Sequence, residues 1–146
     1  MGWAHPDLMI ETPAAVIGAD AFVDDVAFFS IGTNDLVQYT LAVDRGNANL
    51  AGRFTPLHPS VLRLVKRTVE VGALHELDVS VCGEMASQPL MAFALIGLGL
   101  RSLSVNPRAV PLVKRLVRGL SISFAAEAVA AALQARTAPE AERQLK

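Results

Sequence analysis

Residues 28–47 read FFSIGTNDLVQYTLAVDRGN. The stretch begins with a short apolar run, stops at Gly32 and continues at once with the polar triplet 33–35, while Arg45 follows a helix-like segment. This order is typical of a buried strand that delivers an amide and a carboxylate to its carboxyl end. In parallel α/β folds, ligands bind at that end of the sheet. The stretch therefore predicts both a fold class and the position of a site.

Three further short apolar runs alternate with helix-like segments along the chain. We predict strands over residues 8–10, 26–31, 79–82 and 102–105. Four strands that alternate with helices imply an α/β fold with a parallel sheet and right-handed crossovers. Two architectures fit: a small open sheet, or four βα units forming half of a (β/α)₈ barrel, which needs about 250 residues when complete.

The chain is long enough for one domain with a hydrophobic core. We assign residues 1–136 to the partial barrel and expect the polar residues 137–146 to be a frayed tail. Ser60 is expected to cap the helix that follows the Gly/Pro/Asn-rich connection.

Composition excludes several classes of partner. The formal net charge is −1, from 13 basic and 14 acidic residues, so no nucleic-acid or anionic-membrane partner is expected. A single cysteine excludes an internal disulfide and fits a reducing cytoplasm. The longest apolar run, residues 90–100, has 11 residues, whereas a membrane span needs about 20. We therefore expect a cytoplasmic protein.

Polar side chains follow every predicted strand. Because the carboxyl ends of parallel strands meet at one edge of a sheet, residues scattered along the chain should converge there. The residues at these ends are Glu11, Asn34, Asp35, Cys82, Glu84 and Asn106.

Two of these carboxylates suit a metal ion. Mg²⁺ in proteins is typically held by one or two carboxylates, with waters and phosphate oxygens completing the octahedron. Glu11 and Asp35 come from neighbouring predicted strands and could form such a pair. The alternative is that Glu11 only complements a helix dipole and that Asp35 only caps a helix.

The remaining candidates also have two interpretations each. Asn34 could donate its amide to a phosphate or carboxylate oxygen, or only stabilise a turn. Arg45 could clamp the same anion bidentately, or belong to a surface turn. Cys82 could be a small buried hydrophobe, or an acid toward an enolate, since free thiols titrate near pH 8.5. Glu84 could support the neighbouring site residues without touching a ligand, or only start a helix, and we favour the second interpretation.

Three motifs occur in an order that resembles a known family: residues 9–15 (MIETPAA), 32–47 (GTNDLVQYTLAVDRGN) and 81–86 (VCGEMA). They are similar to the C-terminal half of the phosphoenolpyruvate-binding barrel of the Enzyme I family. These are the phosphoenolpyruvate–protein phosphotransferases of the bacterial sugar phosphotransferase system. The sequence departs from the family pattern at Val37, where the family has threonine, and at Ser87-Gln88, where it has Gly-Asp.

The resemblance implies transfer of the phosphoryl group of phosphoenolpyruvate (PEP) to a protein histidine, with release of pyruvate. Glu11 and Asp35 then correspond to the Mg²⁺ ligands. Asn34, Asp35 and Arg45 correspond to residues that bind PEP. Cys82 corresponds to the acid that protonates the enolate carbon.

The resemblance also implies partners. The family carries further substrate arginines on earlier barrel strands and a phosphorylated histidine in a separate N-terminal domain, and neither is expected in this chain. We therefore expect the chain alone to be inactive or incomplete. The implied partners are the phosphoacceptor histidine domain, a downstream phosphocarrier protein and a second copy in a homodimer.

Two functions from different classes stay open. The chain could be the C-terminal piece of a working phosphotransferase, or a truncated, non-catalytic half-barrel that serves as an interaction module. A fragment of a related PEP-utilising dikinase or synthase ranks lower, because residues 44–47 (DRGN) and 82–86 (CGEMA) look more like Enzyme I.

Overall fold

Residues 5–44, 46–47 and 49–146 are described in the structure, which is a computed structural model. Strands and helices alternate along these residues. The strands are β1 (Asp7–Ile10), β2 (Phe28–Gly32), β3 (Asp78–Cys82) and β4 (Ser102–Leu103). The α-helices are α1 (Pro13–Ile17), α2 (Thr33–Leu41), α3 (Pro59–Leu74), α4 (Pro89–Gly97), α5 (Val110–Gly119), α6 (Ile122–Gln134) and α7 (Ala138–Leu145). Short 3₁₀ helices occupy Ala19–Phe22, Ala51–Arg53, Glu84–Ser87 and Pro107–Ala109.

The sheet is parallel throughout the described residues, with its strands in the order β1-β2-β3-β4. The register aligns Met9, Ser30, Ser80 and Ser102 in one row across it. At least one helix separates each strand from the next, as parallel pairing requires. The prediction of an α/β fold with four parallel βα units, consistent with half of a (β/α)₈ barrel, is confirmed.

Only one face of the sheet is packed against the main core. Phe29, Ile31 and Val81 are completely buried and belong to the core cluster that the helices complete. Side chains alternate between the faces of a strand, so the intervening residues point the other way. On that open face, Ser80 is half-buried and Ser102 is exposed. The open face is where the interior of a complete barrel would lie.

Helix α3 supplies much of the core. Its Leu62 and Val65 are completely buried, whereas Leu74 at its end is 78% exposed. The predicted cap is wrong by two residues: His58, not Ser60, is the N-cap, and its Nδ1 accepts a hydrogen bond of 3.2 Å from the Ser60 amide. The helix starts earlier because a proline, here residue 59, suits the first helical position.

The prediction of a frayed tail over residues 137–146 is wrong. Helix α7 occupies most of that segment, and its Ala141 and Leu145 are buried. A local capping signal overrides the polar composition: Thr137 Oγ1 accepts from the Glu140 amide, and Glu140 Oε2 accepts from the Arg136 amide at 2.9 Å. Residues 141 and 145 lie four apart, so they share one helix face, and α7 packs on α6.

No single helix in the described part of the chain is long and apolar enough to cross a membrane. The segments Pro107–Gly119 and Ile122–Gln134 reach that length and composition only when taken together, and they meet at an angle of 102°.

Leu62→Ala should lower the free energy of unfolding by about 2–5 kcal/mol, because it leaves a cavity in the core. Leu74→Ala, the same substitution on the same helix, should cost less than about 1 kcal/mol because its side chain is exposed. Urea denaturation followed by circular dichroism measures both values. Equal losses in the two variants would contradict the assignment of the core-facing side of α3.

Candidate active site at the carboxyl ends of the strands

The sequence-predicted site residues lie at the carboxyl ends of four neighbouring strands. Glu11 follows β1 directly, Asn34 and Asp35 follow β2, Cys82 ends β3, and Asn106 lies beyond β4. The parallel register aligns Gly32 of β2 with Cys82, so the second and third of these strand ends are adjacent. We call this edge of the sheet the carboxyl rim. Arg45, the predicted anion clamp, lies outside the described residues.

The β2–α2 junction holds the amide and the carboxylate in the first helical turn. Helix α2 begins at Thr33, the residue after the last residue of β2, so no loop intervenes. Asn34 and Asp35 are therefore the second and third residues of α2, and both are half-buried. The amino end of a helix carries a partial positive charge that favours negative groups there. The junction thus combines a carboxylate with an environment that attracts anions.

Glu11 reaches across to the end of β2. A Cβ added at Gly32 would lie 2.8 Å from Glu11 Oε1 and 2.7 Å from Glu11 Cγ. Only the absence of a side chain at residue 32 leaves room for the glutamate. This contact brings the Glu11 carboxylate to the carboxyl end of β2, and Asp35 lies three residues further along the chain, in the first turn of α2.

Cys82 sits on the open face of the sheet and not among the helices. Its sulfur donates a hydrogen bond to the Ile31 carbonyl at 3.5 Å, and Ser30 Oγ donates to the sulfur at 3.6 Å. Cys82 is half-buried and is not a member of the core cluster. A sulfur enclosed by the helices could not reach a substrate, so this orientation satisfies the condition that the predicted acid role requires.

Thr33 links the two strand ends. This residue is 1% exposed, and its Oγ1 donates a hydrogen bond of 3.2 Å to the Cys82 carbonyl. Gly83, which follows Cys82, has φ +116°. A Cβ on Gly83 would lie 2.6 Å from Thr33 Oγ1 and 3.6 Å from Asn34 Oδ1. Both the backbone angle and the close approach require glycine. The GTND and CGE segments therefore fit against each other.

Two other rim residues have local roles in the structure. Glu84 is exposed and starts a 3₁₀ helix, in line with its interpretation as a helix-start carboxylate. Asn106 caps the next 3₁₀ helix, since its Oδ1 accepts from the Arg108 amide at 3.0 Å. The backbone N–H of Asn106 in turn donates a hydrogen bond of 2.8 Å to Ser87 Oγ. Ser87 thereby ties the rim beside β3 to the rim beside β4.

The donor set of the rim fits a magnesium ion only in part. Glu11 and Asp35 form no ion pair or side-chain hydrogen bond with another described residue. Within the described ranges, no three His, Cys, Asp or Glu side chains form a group that could hold a metal ion. Two carboxylates with waters and substrate phosphate oxygens are what Mg²⁺ commonly accepts. The two carboxylates could supply only the protein part of such a set of ligands, and the metal site stays a prediction.

Two cavities flank these residues. One, of about 250 Å³, lies behind the rim and is lined by Thr33, Asn34, Val37, Phe54, Pro56, Glu84, Met85, Gln88 and Met91. The other is a larger depression of about 780 Å³ on the open face of the sheet. Its lining includes Asp7, Asp78 and Arg101 from the amino ends of the strands, together with Ser30 and Ser80. The candidate chemical groups concentrate at the rim, so we place the site there.

Comparison with known proteins identifies the family. The family model described as "PEP-utilising enzyme, PEP-binding domain" matches residues 5–122. The chain belongs to this family. The segment matched extends from the residues before β1 into the start of α6, and so contains all four strands and the whole rim.

Curated relatives of this chain carry phosphotransferase names. A phosphoenolpyruvate-protein phosphotransferase of Buchnera aphidicola subsp. Schizaphis graminum is 42% identical over 133 residues, covering 91% of this chain and 23% of the relative. The corresponding Cupriavidus necator protein is 50% identical over 107 residues, covering 73% and 18%. A multiphosphoryl transfer protein of Xanthomonas campestris pv. campestris is 44% identical over 133 residues, covering 91% and 16%. The chain thus spans less than a quarter of the length of these relatives. The predicted resemblance is confirmed.

Sequence reasoning missed the residues that hold the candidate site together. Ser30, Thr33 and Ser87 each make a hydrogen bond between neighbouring strand ends, yet none was singled out for that role. A signal existed for Ser30, because it lies two residues before Gly32 and therefore on the same strand face. Its partner Cys82 becomes apparent only from the register.

Gly83→Ala should lower the free energy of unfolding by about 2–4 kcal/mol, because it forces an alanine to positive φ and against Thr33 Oγ1. Gly119→Ala is the matched control: nothing lies within 4 Å of a Cβ at that helix end, so the change should be neutral or stabilise by up to about 1 kcal/mol. Urea midpoints of the two variants test this. A Gly83 variant as stable as the Gly119 variant would disprove the close fit of the two segments.

Proposed function

We propose that this chain provides the Mg²⁺- and PEP-binding part of a phosphoenolpyruvate–protein phosphotransferase. The observation that carries the proposal is the convergence of Glu11, Asn34, Asp35 and Cys82 at one rim of a chain that belongs to the PEP-utilising family. The names of the relatives support the choice of reaction.

In this proposal, substrate binding falls to the β2–α2 junction. The Asn34 amide donates to a phosphate or carboxylate oxygen of PEP, at the helix end whose dipole favours anions. Arg45 is proposed, from its place in the sequence and the family resemblance, to clamp the same anion. These contacts place the substrate over the rim, between the β2 and β3 ends.

Glu11 and Asp35 would hold Mg²⁺, which when bound neutralises charge on the transferring phosphoryl group. Phosphoryl transfer depends mainly on positioning and charge neutralisation. The task of the two carboxylates is therefore to fix the ion at the rim, and Gly32 leaves the room that Glu11 needs to do so.

Cys82 would supply the proton that completes the reaction. The bond between phosphorus and the enol oxygen breaks, and a bond between phosphorus and a histidine nitrogen forms. The electron pair of the resulting enolate takes the S–H proton at the terminal carbon, which gives pyruvate and leaves a thiolate. Water then returns a proton to the sulfur, so the residue is restored for the next cycle.

The rest of the reaction needs groups from outside this chain. We propose that further barrel strands, supplied by a longer polypeptide or another chain, contribute additional arginines. A separate domain would supply the acceptor histidine, and a phosphocarrier protein would receive the phosphoryl group from it. We further propose that the protein forms a homodimer and acts in the cytoplasm. None of these partners is needed for the test below.

A second candidate function rests on the open face of the sheet. The lining of the larger depression on that face includes Asp7, Asp78 and Arg101. A half-barrel of this kind could act as a module that associates with a partner through its uncovered sheet. Such a module would function without any binding of PEP by the rim residues.

Calorimetric titration of the chain with PEP distinguishes the two functions. We expect binding that depends on Mg²⁺ and is weakened at least about tenfold by Asp35→Ala, which removes a metal ligand. Asp24→Ala is the matched control, because Asp24 is exposed and lies before β2, at the opposite end of the sheet. It should bind PEP as the wild type does.

A further variant separates binding from proton transfer. Cys82→Ser should change PEP affinity by less than about threefold, since the thiol is proposed to act on the enolate and not on the phosphate. Absence of Mg²⁺-dependent binding in a folded chain would reject the proposed half-site and favour the association module.

A further inference from the structure

The environment of Cys82 contains two hydroxyl groups that the proposed reaction does not use. Ser30 Oγ lies 3.6 Å from the sulfur, and Thr33 Oγ1 lies 3.2 Å from the carbonyl oxygen of the same residue. Both hydroxyls are buried, at 8% and 1% exposure. Ser30 precedes Gly32 by two residues, and Thr33 follows it directly. Gly32 is paired with Cys82 in the sheet register.

The position of Ser30 follows from the pairing of β2 with β3. Ser30 aligns with Ser80, and Gly32 aligns with Cys82, so Ser30 is the diagonal neighbour of the cysteine on the open face. Gly32 has no side chain, so nothing attached to it stands between the serine hydroxyl and the sulfur. Ser80, by contrast, donates to the Phe29 carbonyl at 3.4 Å.

The two contacts of the sulfur act in opposite directions on its charge. In the thiol form, Sγ donates to the Ile31 carbonyl at 3.5 Å. A thiolate has no proton to donate, so that contact favours the neutral form. The Ser30 hydroxyl donates to the sulfur in either form, and a donor stabilises the anion more strongly. Ser30 is thus the neighbouring side chain placed to stabilise the charge that forms when the proton leaves.

We propose that Ser30 is a positioning residue that holds the Cys82 sulfur on the open face and stabilises its thiolate, while Thr33 fixes the backbone of the same residue. Its place in turnover rests on the proposed function, because the thiolate is the product of proton donation to the enolate. The hydrogen bond itself does not depend on PEP. Its effect is therefore measurable in the chain alone.

Thr33 has a different task from Ser30. Its hydroxyl satisfies the carbonyl of Cys82, and its Oγ1 occupies the space next to Gly83. Loss of this bond would loosen the β3 end without removing the donor to sulfur. The two residues can therefore be separated by experiment: one acts on the charge of the sulfur, and the other on the stability of the strand end.

Alkylation of the single cysteine by iodoacetamide tests the assignment of Ser30. The thiolate is the reactive form, so the ratio of the rate at about pH 7 to the rate at about pH 9.5 reports the thiolate fraction and largely cancels differences in access. In Ser30→Ala we expect this ratio to fall roughly three- to tenfold. The charged side chains of the surrounding rim, Glu11, Asp35 and Glu84, are unchanged in this variant.

Three controls complete the experiment. Ser80→Ala, which removes a hydroxyl from the same face, should leave the ratio within about twofold of wild type. Ser30→Thr keeps the hydroxyl and should restore most of the ratio. Thr33→Val should lower the urea midpoint but leave the ratio unchanged. Circular dichroism confirms that each variant is folded.

The outcomes are separable from those of the PEP titration. If the ratio of alkylation rates in Ser30→Ala equals that of the wild type and of Ser80→Ala, the inference is overturned, whatever the result of the PEP titration. A reduced ratio that Ser30→Thr does not restore would also overturn it, since the hydroxyl would not be the cause. A reduced and restored ratio in a chain that fails to bind PEP would support the Ser30 contact while rejecting the proposed function.

Discussion

The pairing of Gly32 with Cys82 between β2 and β3 is the contact on which the site depends. It brings together two strand ends that are 50 residues apart in the sequence. A shift of one residue in this register would turn the Cys82 side chain toward the helices and away from the rim. The buried Thr33 hydroxyl reinforces the pairing by bonding to the Cys82 carbonyl. The register of β2 against β3 therefore determines the geometry of the site.

The sequence was sufficient to predict the elements but not the contacts between them. Strands such as Phe28–Gly32 are recognisable because a buried parallel strand is a short apolar run that ends at a turn residue. Asn34, Asp35 and Cys82 could be assigned to one rim because carboxyl ends of parallel strands meet. The bond from Ser30 to Cys82 could not, because it depends on a diagonal relation that only the register defines.

The errors at helix ends have a similar cause. Composition suggested a frayed tail, yet the hydrogen bonds around Thr137 and Glu140 start a helix there, and burial of Leu145 against the rest of the chain stabilises it. His58 replaced the expected serine cap because the proline after it sets where the helix begins. At the tail, capping hydrogen bonds outweighed polar composition. At α3, the position of a proline outweighed the general preference for serine as a cap. The position of Arg45 relative to the rim stays a prediction.

The absence of a loop between β2 and α2 has a consequence for motion. Movements of active-site segments require residues whose backbone angles can change, and these residues usually lie in loops or at element ends. The Glu11 side chain lies close to Gly32, and Thr33 is bonded to the neighbouring strand, so no loop residue is available here to act as a hinge. Asn34 and Asp35 are therefore fixed to the sheet as a rigid reference point.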